Sequence, residues 1–212
     1  RNTQNGAHAL KNDLNKIDWC AALLDERLPE NRELQIIRGS VDHLRALLQR
    51  TRMHTGRVVL NPGDCDVRAL FEQIIRETPH TDALRIEIDR CDDAPLYCDP
   101  SHVREALTNL VGNAVEAMRG SGRITLSYVR TAHKASISVC DDGPGMTPAT
   151  QKRIFEPYYT TKTSGENFGL GLYYCQNVMN VHEGSIRVSS APGKGCTFTL
   201  IFPLAAQGRR KP

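Results

Sequence analysis

Asp141-Asp142-Gly143-Pro144-Gly145-Met146 opens, and Gly169-Leu170-Gly171-Leu172 closes, the stretch on which the fold of this 212-residue chain turns. Just ahead of it, Ala135-Ser136-Ile137-Ser138-Val139-Cys140 alternates apolar with small or polar residues. That is the period of a half-buried strand, and it delivers Asp141 at the strand's end. Gly143 and Gly145 let a backbone approach a ligand without side-chain collision, and the Asp141 carboxylate can accept a hydrogen bond from an exocyclic amine. A purine suits such a site. Gly169 and Gly171 precede the helical run Tyr173–Met179, and the free N–H groups and dipole of a helix N-terminus attract anions. A phosphate suits this one. Taken singly, either glycine pair reads equally well as an ordinary turn.

Upstream, Asp99-Pro100 starts a helix with an N-cap carboxylate and a proline at the first helical position. Val103, Leu107, Leu110, Ala114 and Ala117 recur at helical spacing as its expected buried stripe. Glu105, Asn109, Asn113 and Glu116 follow one another on another face. Asparagine is a mediocre helix former, so two of them one turn apart point to a ligand or a metal-bound phosphate.

Five motifs then occur in one order: Asn109-Leu-Val-Gly-Asn113-Ala, Asp141-x-Gly143-x-Gly145, Phe155-Glu156-Pro157-Tyr158-Tyr159-Thr160-Thr161-Lys162, Gly169-Leu-Gly171-Leu, and Gly193-Lys-Gly195-Cys-Thr197-Phe198. This series resembles the N, G1, F, G2 and G3 boxes of the ATP-binding domain of sensor histidine kinases, in the Bergerat-type ATPase superfamily. The resemblance covers about two thirds of the chain.

Composition agrees with a soluble globular chain: 40% of residues are apolar, and the net charge of +3 comes from 27 basic and 24 acidic residues. The only basic block is the tail Arg209-Arg210-Lys211, so nucleic acid is not an expected partner. Seven cysteines without a Cys-x-x-Cys pair argue against a disulfide framework and a zinc site, and point to a reducing cytosol. There is no run of eighteen apolar residues, and Arg1-Asn2-Thr3-Gln4 shows neither a signal-peptide pattern nor an initiator methionine. The chain is therefore expected to be a cytoplasmic fragment of a longer protein, with any membrane attachment through segments outside this sequence.

Ala7, Leu10, Leu14, Ile17, Ala21, Leu24 and Leu28 alternate steps of three and four residues, the spacing of a bundle helix. After the turn signal Leu28-Pro29-Glu30-Asn31, the residues Leu34, Ile37, Val41, Leu44 and Leu48 repeat it to about Thr55. Residues 1–56 are thus expected to form an antiparallel hairpin that buries its apolar seams against a second copy, as a homodimeric four-helix bundle. His8 lies one position off the seam, on a flank shared with Lys11, Asn12 and Asn15. A histidine-bearing hairpin before an ATP-binding domain is similar to the dimerisation and phosphotransfer domain of the same family. There the phosphorylated histidine commonly precedes an acidic residue, with Asn or Thr four positions on and often proline next. His8 and Asn12 match; Ala9 and Asp13 stand in the other two places. His43, His54, His80, His102, His133 and His182 lack the motif and are read as surface or packing residues.

Arg57–Leu60 and Asn61-Pro62-Gly63-Asp64 read as a connecting strand and turn, with the domain boundary near residue 57. A helix over 66–78, strands over 84–89, 95–98, 122–129 and 134–140, and a terminal hairpin over 184–189 and 196–202 follow. The fold class is thus α+β: the helical hairpin of residues 1–56, an α/β two-layer sandwich of the Bergerat type over 57–207, and a basic tail over 208–212.

The resemblance implies an ATP-dependent protein histidine kinase. In it Asn109 and Asn113 hold Mg2+ and ATP phosphate, and Asp141, Gly143 and Gly145 take the adenine. Lys162, Gly169 and Gly171 hold phosphate oxygens, Thr197 contributes from the last box, and residues 162–168 are the ATP lid. His8 accepts the γ-phosphoryl group and passes it to a response-regulator receiver aspartate, and Asn12 serves dephosphorylation of that partner. The alternatives are a Bergerat-fold ATPase or an anti-sigma-type serine kinase. Related ATPases carry a glutamate general base where this chain has Asn109, and an amide cannot deprotonate water; the serine kinases have no use for the hairpin.

Overall fold

The computed structural model describes residues 60–78, 82–161 and 169–204, preceded by Lys16, Ile17, Asn31, Leu34, Ile37 and Val41. The chain divides into two compact units, Arg1–Arg57 with Thr160–Leu170, and Val58–Tyr159 with Gly171–Pro212. In the first, Lys16, Ile17, Leu34, Ile37 and Val41 are helical. The Asn31 side-chain oxygen accepts the Leu34 N–H at 3.0 Å, which ends the predicted turn with a helix cap. Leu34 and Val41 are buried, whereas Ile17 and Ile37 keep over 40% of their surface exposed.

The second unit holds seven strands and four helices among its described residues. In chain order these are β1 (Gly63–Cys65), α1 (Val67–Glu77), β2 (Leu84–Cys91), β3 (Leu96–Cys98), α2 (Pro100–Ala117), β4 (Gly122–Arg130), β5 (Lys134–Asp141), α3 (Pro148–Arg153), α4 (Gly171–Val181), β6 (Ser185–Ser190) and β7 (Cys196–Pro203). Strands β2-β4-β5-β7-β6 form one mixed sheet, with β2 and β4 parallel and the other neighbours antiparallel. The expectation of helices on one face of a mixed sheet is met: α1 packs on β2, α2 on β4 and β5, and α4 on β6 and β7.

Strand alternation decides which residues meet the helices. Ala135, Ile137 and Val139 of β5 are buried, as are Phe198, Leu200 and Phe202 of β7, while the intervening Ser138 and Thr199 join hydroxyls at 3.1 Å on the other face. Burying apolar side chains contributes roughly 1.5–3 kcal/mol each, so this face secures the sheet. The caps follow local chemistry. Asp66 accepts the Ala69 N–H to start α1, whose Val67, Leu70, Phe71 and Ile74 are buried. Asp99 accepts the N–H groups of Ser101 and His102, with Pro100 in the first turn of α2.

Three local expectations need correction. Leu60 lies outside any strand and residues 57–59 lie outside the described residues; the strand at this place is Gly63–Cys65, paired antiparallel with Leu96–Cys98. The second oxygen of Asp99 accepts the Asn61 N–H at 2.8 Å and so holds the chain just ahead of that ribbon. Ala117 is exposed: the buried stripe of α2 takes in Ala106 and Val111 and closes at Ala114. Helix α3, which the sequence reading omitted, starts at Thr147-Pro148, a capping hydroxyl followed by proline.

Candidate functional site

Helices α2 and α4 run antiparallel, and their contacts form a ladder. A Cβ placed on Gly171 would stand 3.4 Å from the Asn109 side-chain oxygen. One turn further along α4, the Tyr174 hydroxyl donates to Glu105 at 2.7 Å and lies 3.0 Å from Nδ1 of His102. The buried Cys175 thiol donates to the Ala106 carbonyl. At the far end, the Asp99 N–H donates to Nε2 of His182, whose Nδ1 lies 2.7 Å from the Val178 carbonyl. That ring therefore accepts at Nε2 and donates from Nδ1, which is the neutral tautomer. Among the competing histidines, His102 and His182 are packing residues and His133 is exposed; His43, His54 and His80 lie outside the described residues.

The ladder brings the glycine-led start of α4 against the asparagine face of α2. Asn109 and Asn113 are both half-buried, one turn apart. Their amide oxygens are hard donors of the kind magnesium takes, and Gly171, the first residue of α4, packs beside the Asn109 side chain.

Asp141 is the last residue of β5. It is one of two buried charged residues among those described, and its Oδ1 accepts the Gly143 N–H at 2.9 Å. Burial pushes this carboxyl above the usual carboxylate range, and the neighbouring Asp142 charge adds to the rise; the N–H groups of Gly143 and Cys196 oppose it. Asp142 turns away, its Oδ1 accepting the Arg123 N–H at the start of β4.

The glycines here serve the protein's own packing as much as ligand approach. A Cβ on Gly145 would fall 2.0 Å from the Ala191 carbonyl oxygen, and one on Gly195 would fall 1.9 Å from that of Asp141. Both have φ near +70°, where side chains are strained. The loop after β5 is thereby pressed against the β6–β7 turn: Gly193 N–H donates to the Pro144 carbonyl and Gly195 N–H to that of Gly143. Ser190 accepts the Met146 N–H and donates to the Gly195 carbonyl. Gln151 of α3 donates to the carbonyls of both Met146 and Ser190. Neither Gln151 nor Ser190 was singled out from sequence, because no motif marks them.

Thr197 does not share the Asp141 face. Asp141 pairs in register with Cys196, whereas Thr197 pairs with Cys140 and Ser189, so alternation sends it to the opposite side of the sheet. Cys196 is the residue beside the carboxylate. Burial and the Asp141 charge push its thiol up to about 12, so it is not a nucleophile at neutral pH. Six cysteines are free thiols among the described residues. His8, Asn12 and the lid with Lys162 lie outside the described residues; Gly169 has φ 65. Among the described residues, no helix is long and apolar enough to cross a membrane and no cluster of His, Cys, Asp and Glu could hold a metal.

Residues 98–206 match the family model described as histidine kinase-, DNA gyrase B-, and HSP90-like ATPase. The signal transduction histidine-protein kinase AtoS of Escherichia coli (strain K12) is 31% identical over 212 residues, taking in 96% of this chain and 34% of AtoS. The sensor histidine kinase ZraS of the same strain is 30% identical over 206 residues, 93% of this chain and 44% of ZraS. This chain therefore spans less than half the length of these relatives. A solved structure of full-length ShkA in complex with AMPPNP superposes with a TM-score of 0.72 at 25% identity, covering 94% of this chain and 45% of ShkA.

Proposed function

The chain belongs to the family of histidine kinase-, DNA gyrase B- and HSP90-like ATPases, and on that premise we propose that it is the kinase core of an ATP-dependent protein histidine kinase in a two-component system. The observation that carries the reading is the buried Asp141 carboxylate, held by Gly143 on the same unit that sets the α4 N-terminus against Asn109. A base-reading acceptor at one side and an anion-binding helix start at the other suit a purine nucleotide triphosphate.

In this reading Asp141 accepts from the adenine amine, and the backbone of Gly143–Gly145 lies along the base. Gly169, Gly171 and Lys162 hold phosphate oxygens. Asn109 and Asn113 would hold a magnesium ion, which when bound neutralises phosphate charge. An imidazole nitrogen of His8 attacks the γ-phosphorus: the N–P bond forms as the P–O bond to ADP breaks. The phosphoryl group then passes to a receiver-domain aspartate of a response regulator, with Asn12 serving its later removal. An ATPase is the weaker reading. Asn109 offers no base for water, and the nearby Glu105 carboxylate accepts the Tyr174 hydroxyl.

Residues 1–56 are assigned to a dimerising phosphotransfer hairpin, 57–207 to catalysis and 208–212 to a basic tail, in a cytoplasmic portion of a longer protein. Of the four predicted seam residues that are described, Leu34 and Val41 are buried in a single copy, whereas Ile17 and Ile37 are exposed and available to a second one.

The deciding experiment incubates the chain with γ-labelled ATP and magnesium, then splits the product between acid and alkali. Label lost in acid and kept in alkali is the expected result, and His8→Gln should abolish it while changing ADP affinity by less than about 1 kcal/mol. No label, or acid-stable label, refutes the kinase reading.

A further inference from the structure

Gln151 is a single side chain on which three backbone segments converge. It stands on α3, a helix of six residues none of which is buried, directly ahead of Phe155 and the lid. Its amide nitrogen donates to the Met146 carbonyl at 3.1 Å and to the Ser190 carbonyl at 2.8 Å. Met146 closes the loop that begins at Asp141; Ser190 ends β6 and leads into the Gly193–Gly195 turn. The same Ser190 accepts the Met146 N–H at 2.9 Å and donates to the Gly195 carbonyl at 2.7 Å. Gly195 in turn donates to Gly143, whose N–H is held by the Asp141 carboxylate. A chain of hydrogen bonds thus runs from Gln151 to the Asp141 carboxylate.

We propose that Gln151 is a positioning residue for the base half of the nucleotide site, fixing the 143–146 backbone against the β6–β7 turn by donating to two carbonyls at once. It touches no nucleotide in this assignment and acts through the loop. The inference rests on the reading of Asp141 as the adenine acceptor. Its chemistry is specific: the position needs a donor, and an acceptor of the same size is repelled by both carbonyl oxygens. Gln151→Glu supplies such an acceptor. Gln151→Lys supplies an ammonium with donors for both carbonyls.

Because the defect lies at the base end, ADP and ATP should lose affinity by the same factor, leaving their ratio unchanged. Protonation of the introduced carboxyl restores one donor, so the loss in Gln151→Glu should shrink as pH falls from 8 to 5. Asp141, whose carboxyl burial raises above the usual range, is common to all three proteins, so each variant is compared with wild type at the same pH.

The test is calorimetric titration of ADP, and of ATP in EDTA, into the full 212-residue chain and both variants at pH 8, 6.5 and 5, with melting curves alongside. The expected result is a roughly tenfold weakening in Gln151→Glu at pH 8 for both nucleotides, convergence on wild type at pH 5, and near-wild-type binding by Gln151→Lys. Wild-type affinity in Gln151→Glu at pH 8 overturns the proposal, as does equal loss in both variants or a loss confined to ATP. If Gln151→Glu does not fold, Gln151→Leu, which has neither donor nor charge, takes its place: weakened binding beside near-wild-type binding by Gln151→Lys supports the donor role, and wild-type binding by Gln151→Leu overturns it. A wild-type chain that binds neither nucleotide would instead overturn the assignment of the site, and this inference with it.

Discussion

Replacing Asp141 by asparagine changes hydrogen-bond polarity and almost nothing else. The carboxyl is 8% exposed, with one oxygen fixed on the Gly143 N–H and the Cys196 N–H directed at it as well. An asparagine that keeps its oxygen on Gly143 must turn its NH2 group toward the ligand side, where the assigned adenine amine also donates. The loss is one charge-assisted hydrogen bond, about 1.5–3 kcal/mol, or roughly 10- to 150-fold in the dissociation constant. The fold should suffer little, because the substitution also removes a desolvated charge. The outward NH2 suits a carbonyl acceptor, so inosine diphosphate, with oxygen in place of the amine, should gain on ADP in the variant. Titration of ADP and IDP into both proteins, with melting temperatures as control, measures this. An ADP affinity within twofold of wild type, or an equal fall for ADP and IDP, would refute the base-reading role.

Three further outcomes follow from the geometry. Gly195→Ala drives a Cβ into the Asp141 carbonyl at a positive φ, and should destabilise by roughly 3 kcal/mol and abolish nucleotide binding; denaturant titration together with calorimetry checks both. Burial alone would raise the Asp99 pKa, but the N–H groups of Asn61, His102 and Ser101 and the His102 charge hold it below the usual value. Its contribution is therefore complete above the unfolded pKa of about 3.9 and is lost as pH falls through the lower folded value; Asp99→Ala should cost about 1–2 kcal/mol at pH 7 and flatten the acid limb of the stability curve. Glu183 sits at φ 55 after α4, so Glu183→Gly should raise stability by about 0.5–1 kcal/mol, and an unchanged or lowered melting temperature would count against strain there.

What was legible in the sequence is what local chemistry determines. Asp99-Pro100 announces a helix start because both the cap and the proline act within one turn. The alternation at Ala135–Cys140 announces a strand because burial there has period two, and Ala135, Ile137 and Val139 are indeed the buried set. Asn61-Pro62-Gly63-Asp64 reads as a turn although Gly63–Cys65 is a strand, because its pairing partner lies at Leu96–Cys98, and nothing within a short window reports a partner that far along the chain. Thr197 was placed in the site by its motif, while the register that turns it away is set by Asp141 meeting Cys196. Gln151 and Ser190 carry no motif: each matters only because Met146, Gly195 and the two turns come together. The local signal for α3 is Thr147-Pro148, a capping hydroxyl followed by proline.

The order of the strands bears on how the protein is made. The last strand among the described residues, Cys196–Pro203, does not join at an edge; it lies between β5 and β6 in the sheet. A ribosome extends the chain at roughly 5–20 residues per second, so for a few seconds after Asp141 is added β5 presents a free edge of unpaired N–H and C=O groups. During that interval the Asp141 carboxylate lacks Cys196, and the loop behind it lacks the turn that pins it. Nucleotide competence should therefore arrive in a single step with the final hairpin, and chains stalled before residue 196 should be recognisable in the cell as edge-exposed, chaperone-bound and unable to bind ATP.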